Sequence, residues 1–444
     1  MTIARTICLG FLTLIIIGTI LLMLPFATES GTWNNPLVAL FTATSAVCVT
    51  GLIVVDTGSY FSFWGELFIL TLIQLGGLGY MTTTTFLILL IGRRFDLRQK
   101  FAIQESFDRP FLQGSQNLVR SIIGMTIIFE LTGAFLLMAK FVADFGLNEG
   151  LWLSIFHSIS AWNNAGFSLF EDSLVGYQGS ILVNLVVTVL VIFGGIGYQV
   201  IIEGYIFIAN KLKGKKARFV FSLNFKVVVS TSLFLLILGA ISFFLTELNN
   251  PETLAILSTK DKLLAAWFQS VITRTAGFNT ISIGEMTTAA LFIAIALMFI
   301  GASPSGTGGG IKTTTFRIIA SATRAILRGK EHVPLFEREI TYSIVLKAVG
   351  VVFGSVVTII IGTFILSVTD PDFNFIQIFF EEVSAFATVG LSTGITAALS
   401  DLGKIIIILT MYIGRVGVLI FVASIIGDPR PSRIQYPEEN LLVG

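Results

Sequence analysis

Charge is what this chain has least of. Asp, Glu, Lys and Arg make up 12% of its 444 residues, against roughly 25% in an ordinary soluble domain, so water cannot be the solvent for most of it. The signs balance: 28 basic and 27 acidic side chains leave a net charge of +1, which offers no electrostatic footprint for a nucleic acid. Cysteine is nearly absent. Cys8 and Cys48 fall in the first long apolar run and the first short glycine segment, a placement that gives neither a disulfide nor metal-site spacing. Histidine is equally scarce. His157 and His332 have no second His or Cys at ligand distance in the sequence, so no transition-metal site is expected. With no nucleophile, base or metal cluster, an enzyme is the weakest of the readings.

What is abundant is apolar. Hydrophobic residues make up 54% of the chain, with 40 Phe and 42 Gly, the bias expected where helices pack closely in a lipid bilayer. Runs long enough to span lie near 6–26, 63–92, 118–141, 180–210, 226–246, 286–316, 345–367 and 403–426, each able to cross a core that needs about 20 residues. The first follows Arg5 and is too long for a signal-peptide core, so it is read as a helix. Between the members of each pair lies a shorter stretch ending at a glycine, 37–51, 152–166, 263–277 and 376–390. These are too short to span and read as re-entrant.

Lys and Arg set the orientation. Arg93, Arg94, Arg98 and Lys100, then Lys211, Lys213, Lys215, Lys216 and Arg218, then Arg317, Arg324, Arg328 and Lys330 lie in the connections between pairs, which places those connections and both termini in the cytoplasm. The stretches leading into the glycine segments carry mostly acids, with Lys260 and Lys262 as exceptions. The re-entrant segments therefore enter from outside.

The four segments repeat. They read FTATSAVCVTGL, FHSISAWNNAGF, WFQSVITRTAGF and FEEVSAFATVGL, aligned on Gly51, Gly166, Gly277 and Gly390 at spacings of 115, 111 and 113 residues. An aromatic (Phe41, Phe156, Trp267, Phe380) stands ten residues before each glycine and a large apolar residue directly after it. Three further glycines in register arise by accident on the order of one time in a thousand. The chain thus divides into residues 1–97, 98–217, 218–330 and 331–444, the last with a short tail. The expected fold is an all-α membrane protein with eight transmembrane helices and four re-entrant pore helices in helix, pore loop, helix repeats around one pore.

Non-helical backbone at membrane depth is tolerated only where it lines a cavity or is buried in protein. Glycine lets such a segment turn its carbonyls inward, carbonyls can replace a cation's hydration shell, and a short helix aimed from outside adds its negative C-terminal end.

The four segments, the helix count and the stretch TRTAGFNT, Thr273 to Thr280, resemble the Trk, Ktr and plant HKT superfamily of potassium-uptake proteins over nearly the whole chain, and most of all its bacterial Ktr branch. The resemblance implies one filter glycine per repeat, with K+ held by carbonyls of the residues just before: Val49 and Thr50 before Gly51, Asn164 and Ala165 before Gly166, Thr275 and Ala276 before Gly277, Thr388 and Val389 before Gly390. Glycine at position 51, where some plant relatives carry serine, favours potassium over sodium. The resemblance further implies no cofactor in this chain, a homodimer with one pore per protomer, and a cytoplasmic ring of RCK-type, nucleotide-binding regulatory subunits. The basic connections at 93–100 and 317–330 are candidate docking surfaces, or simply the positive-inside signal.

Two features lie beyond the filter. GGLGY (Gly76 to Tyr80) and GGIGY (Gly194 to Tyr198) mark the second helices of the first two repeats, while the third has Gly301 followed by ASPSGTGGGIKTT. Pro304 and the glycines 306, 308, 309 and 310 cannot sustain a helix. The segment Ala302, Ser303, Pro304, Ser305, Gly306, Thr307, Gly308, Gly309, Gly310 is either a kink filled by neighbours or a mobile loop under the filter, and the resemblance implies an intramembrane gate here. Lys312 follows the glycines without the spacing of a phosphate loop. In the fourth repeat Arg415 interrupts an apolar run, where a charge is costly and faces a partner or a wet path; the resemblance implies a cation beside the gate. Arg274, three residues before Gly277, is expected to leave the pore and pair with Glu381 or Glu382. The rival reading is a cation-coupled secondary transporter (potassium/sodium symport), alternating access around a midplane site.

Overall fold

The computed structural model describes residues 2–79, 115–214 and 219–427. Tyr80, the basic stretch at 93–100, Lys215, Lys216, Arg218 and the tail after Pro429 lie outside the described residues. Among the described residues four helices are long and apolar enough to cross a bilayer: α1 (Ile3–Met23), α4 (Ser115–Phe145), α8 (Leu223–Glu247) and α12 (Tyr342–Thr369). Each packs along the shorter helix that follows it: α2 (Pro36–Cys48), α5 (Leu147–Trp162), α9 (Thr259–Ile272) and α13 (Phe375–Ala387). A second helix then leaves each glycine segment: α3 (Phe63–Leu78), α6 (Ile181–Ile196), α10 (Thr288–Phe299) and α14 (Asp401–Val416).

All four second helices start the same way. Ser62, Ser180, Thr287 and Ser400 are their N-caps, each hydroxyl accepting from a backbone N–H in the first turn, which satisfies a donor the helix itself cannot. Neighbouring units interlock in chain order. α3 touches α5, α6 touches α9, α10 touches α13, and α14 touches α2, so the contacts close into a cycle around the four short helices. The outer surface is hydrocarbon, with Phe135, Phe353 and Phe364 each about 70% exposed, as a surface facing lipid tails requires.

Two sequence-based spans are corrected. The runs at 180–210 and 403–426 are not single helices: α6 is followed by α7 (Tyr198–Leu212) at 104°, and α14 by α15 (Val418–Ile426) at 96°. The breaks fall at Gly197 (φ 93°, ψ 141°) and Gly417 (φ 90°, ψ 135°), and Gly79 ends α3 in the same conformation (φ 80°, ψ 141°). This region of backbone space is in practice open to glycine alone, so the helix stops there although hydropathy continues. The run at 286–316 divides into α10 and α11 (Thr313–Ile326), joined by the irregular segment between them. A two-stranded antiparallel hairpin, β1 (Val333–Leu335) and β2 (Arg338–Ile340), follows α11.

Candidate functional site

The four glycine segments meet at one place. A Cβ built on Gly51 would lie 2.5 Å from the carbonyl oxygen of Ala165; on Gly166, 2.8 Å from that of Ala276; on Gly277, 2.8 Å from that of Val389; on Gly390 it would strike that of Thr50. Each glycine therefore abuts the carbonyl that precedes the next glycine, and Gly51, Gly166, Gly277 and Gly390 form a closed ring with Thr50, Ala165, Ala276 and Val389. All four glycines have positive φ, between 69° and 92°. Two residues earlier, Val49, Asn164, Thr275 and Thr388 are also left-handed, with φ from 51° to 74°. A β-branched residue in that region is strained, and three of these four are β-branched. Strain repeated at equivalent positions persists only where the surroundings impose it.

The clamp is visible. Ser45 O accepts from Thr50 N–H at 2.8 Å while Ser45 Oγ accepts from Gly51 N–H at 3.1 Å. Ser384 does the same for Val389 and Gly390, at 2.9 and 3.1 Å. Ser160 O accepts from Ala165 N–H, and its hydroxyl donates to Phe167 O at 2.7 Å. These N–H groups are thus taken up by the short helices, and of the four ring carbonyls Ala276 O accepts from Phe278 N–H at 2.9 Å. The serine stands six residues before the glycine in three segments and is Val271 in the third. That pattern is legible in the aligned segments, but not from the aromatic and the glycine alone. The short helices end at Cys48, Trp162, Ile272 and Ala387, so their negative ends point at the ring.

One face of the ring is the floor of a cavity of about 420 Å³. All four glycines line it, its wall carries Glu171, Asp172 and Glu285, and among the described residues no Lys or Arg lines it. The wall after Gly390 is held by buried Glu381, which accepts from Ser392 Oγ, from Thr393 N–H at 3.0 Å and from Thr396 Oγ1 at 2.9 Å.

The other face is covered by the irregular segment that follows Gly301. Ser303 N–H donates to Gly195 O at 2.9 Å and Thr307 N–H to Gly194 O at 3.1 Å, which fastens it to the end of α6. Gly309 N–H donates to Thr388 Oγ1 at 2.9 Å, and Thr307 Oγ1 donates to Asn164 Oδ1 at 3.2 Å. A Cβ on Gly308 would strike Thr275 Oγ1. The segment is thus pressed against the left-handed residues of three of the four ring strands, with Thr307, Gly308 and Gly309 buried and Pro304, Ser305, Gly306 and Gly310 half-buried. Arg415 ties it across: one guanidinium nitrogen donates to Thr307 O and another to Gly76 O. Arg415 stands in the last turn of α14, two residues before the break at Gly417, rather than inside a continuous helix. Lys312, set aside by the sequence reading, donates from Nζ to Gly308 O at 2.8 Å, so two cations hold adjacent carbonyls beneath the ring.

Arg274 is not where it was expected. It does leave the axis, but its Nη1 donates to Ser232 O of α8 at 3.4 Å and its Nε is buried without a partner among the described residues. Glu381 serves the cavity wall, and Glu382 accepts from Thr410 Oγ1 at 2.8 Å. The reason is position: Arg274 projects behind the third segment toward α6 and α8, lining a small void with Gly195 and Ala302. Glu130, also missed, accepts from Asn163 Nδ2 at 3.1 Å behind the second segment.

Comparison with known proteins accounts for this architecture. The family model described as TrkH, cation transport protein, matches residues 6–433. The Ktr system potassium uptake protein B of Bacillus subtilis is 41% identical over 441 residues, covering 99% of this chain and 96% of that one. That of Vibrio alginolyticus is 39% identical over 99% of this chain and 94% of its own. The potassium/sodium uptake protein NtpJ of Enterococcus hirae is 36% identical over 99% and 97%. The crystal structure of the potassium transporter TrkH from Vibrio parahaemolyticus superposes with a TM-score of 0.71 over 95% of this chain and 85% of that one, at 18% identity, which speaks to the fold. The chain is a multi-pass membrane protein and belongs to the TrkH family of cation transport proteins.

Proposed function

We propose that this chain takes up potassium across the plasma membrane through the glycine ring. The observation that carries the reading is the ring itself: four glycines and four carbonyls in cyclic order, at the floor of a cavity lined, among the described residues, by three acids and no base. Acids raise the local cation concentration, helix ends favour positive charge at the ring, and the carbonyls Thr50, Ala165, Ala276 and Val389 replace water around a dehydrated K+. The names of the B. subtilis and V. alginolyticus relatives support potassium as the ion. In this reading the acidic cavity faces outside and both termini lie in the cytoplasm, which the basic connections support.

Residues 302–310 are the gate in this reading, held shut across the path by Arg415. The names of these two relatives make each of them protein B of a Ktr system, which supports a second component; an RCK-type cytoplasmic ring and a homodimer are the form the family resemblance gives it. A coupled mechanism has one finding in its favour, the E. hirae relative named for potassium and sodium. Flux into liposomes of purified protein driven by a potassium gradient alone separates the two: uptake without sodium supports the channel, and strict sodium dependence supports symport.

The ring itself is tested by Gly51→Ser and Gly277→Ser. Each adds a side chain within 2.5–2.9 Å of a neighbouring strand, so the potassium-to-sodium permeability ratio should fall by more than tenfold, the equivalent of about 1.4 kcal/mol of selectivity. An unchanged ratio in both variants removes these glycines from the filter.

A further inference from the structure

Four cations surround a cavity that the transport reading does not use. Arg317, Arg324, Arg328 and Lys330 line a space of about 260 Å³ between α11 and the β1–β2 hairpin, which closes it with Leu335 and Phe336. Arg317, Ser321 and Arg324 recur at helical spacing on α11, so they share one face, and Arg328 and Lys330 follow in the turn after it. Among the described residues none of the four cations has a carboxylate within ion-pair distance, and Arg317 Nε is buried without a partner. The acids of the hairpin look elsewhere: none lines the cavity, and Glu339 is paired with His332 at 2.7 Å. A concentration of guanidinium groups without carboxylate partners among the described residues, around a half-open cavity, calls for an anion, and forked guanidinium donors match phosphate oxygens.

The surroundings say which anion. Next to the cavity Ile326 and Leu327 are 75% and 81% exposed, on a helix that begins at the end of the irregular segment beneath the ring. Apolar side chains beside a basic helix face are the signature of an element lying at the lipid headgroup level. A soluble phosphate would satisfy the arginines and leave the apolar pair in water; a phospholipid satisfies both. We propose that this cavity binds the phosphate headgroup of an anionic phospholipid of the adjoining leaflet, with its acyl chains running past Ile326 and Leu327.

The test uses the full chain purified in detergent, with phosphatidylglycerol retention read by native mass spectrometry. Arg324→Gln with Arg328→Gln should lower retention by about five- to thirtyfold, given the attraction of each basic residue near an anionic surface. Lys211→Gln with Lys213→Gln, exposed basic residues at the end of α7, should leave it unchanged. Ser321→Trp fills the cavity without removing charge and should lower retention as the arginine variants do, which covers the case of their misfolding. The proposal is overturned if both charge pairs reduce retention equally, if Ser321→Trp retains wild-type lipid, or if millimolar inorganic phosphate displaces the lipid completely.

Discussion

The third unit and the other three treat the same glycine differently. In the first, second and fourth units the glycine near the end of the second helix, Gly76, Gly194 and Gly414, lies directly on a short-helix carbonyl, that of Val47, Trp162 and Phe386 respectively. Such contacts leave no room for a methyl group and fix helix against ring. In the third unit the equivalent Gly301 lies instead on Gly309 O, a carbonyl of its own following segment. Three units therefore bend sharply at a second glycine three residues on, or stop there, while the third spends that length on a segment that covers the ring. Above this level the four units are alike, down to the left-handed residue two before each glycine. On the proposed reading, similarity at the ring suits a symmetric coordination shell, and asymmetry beneath it suits a part that can move without disturbing that shell.

That comparison can be broken or sharpened at single residues. The largest effect is expected at Arg415. Replacing it with Ala removes both ties, to Thr307 O and Gly76 O; a contact of order 1–2 kcal/mol biases the closed arrangement by roughly five- to thirtyfold. Potassium flux through Arg415→Ala in liposomes should rise by a factor in that range, and a flux at or below wild type would count against the tie.

A smaller effect separates two glycines that share a backbone conformation. Gly197→Ala and Gly417→Ala both force alanine into positive φ, at a cost of about 1–3 kcal/mol each. At Gly417 a Cβ meets nothing within 4 Å, whereas at Gly197 it strikes Pro304 O of the irregular segment. Both variants should melt earlier, and Gly197→Ala alone should change flux, by a few fold. Equal flux in the two would mean that the segment is passive packing.

The smallest effect in free energy is at the clamp. Ser384→Ala removes the acceptor of Gly390 N–H, a neutral hydrogen bond contributing about 0.5–1.5 kcal/mol. The permeability ratio should drop by roughly two- to tenfold. Since Val271 stands where the third unit lacks this serine, Val271→Ser should change the ratio little, and a collapse there would show that the clamp is not a ring-wide device.

Much of this organisation is written in the order of the residues. The glycine register found the ring strands, because one strained position repeated four times leaves a compositional trace. Pro304 and the glycines after it announced irregular backbone, and a lone arginine in an apolar run announced a polar partner. The helix breaks were not legible by hydropathy, since Ile196, Tyr198, Val416 and Val418 keep the run apolar through a turn of about 100°. A closer look at Gly76-x-x-Gly79, Gly194-x-x-Gly197 and Gly414-x-x-Gly417 aligns them, and shows that Arg415 occupies the place of Gly77 and Gly195. Arg274 misled because charge suggests a carboxylate partner, while a single sequence carries no distances; a backbone carbonyl on α8 is its observed partner.

Deleting Ser303 to Gly309 while measuring both flux and selectivity tests most directly the claim that selection and gating occupy separate layers. Three of the four ring strands keep their serine clamps on the short helices in such a protein, so potassium flux in liposomes should rise above wild type with the potassium-to-sodium ratio preserved. A folded deletion variant that carries wild-type flux, or one that gains flux only by losing selectivity, would contradict the account.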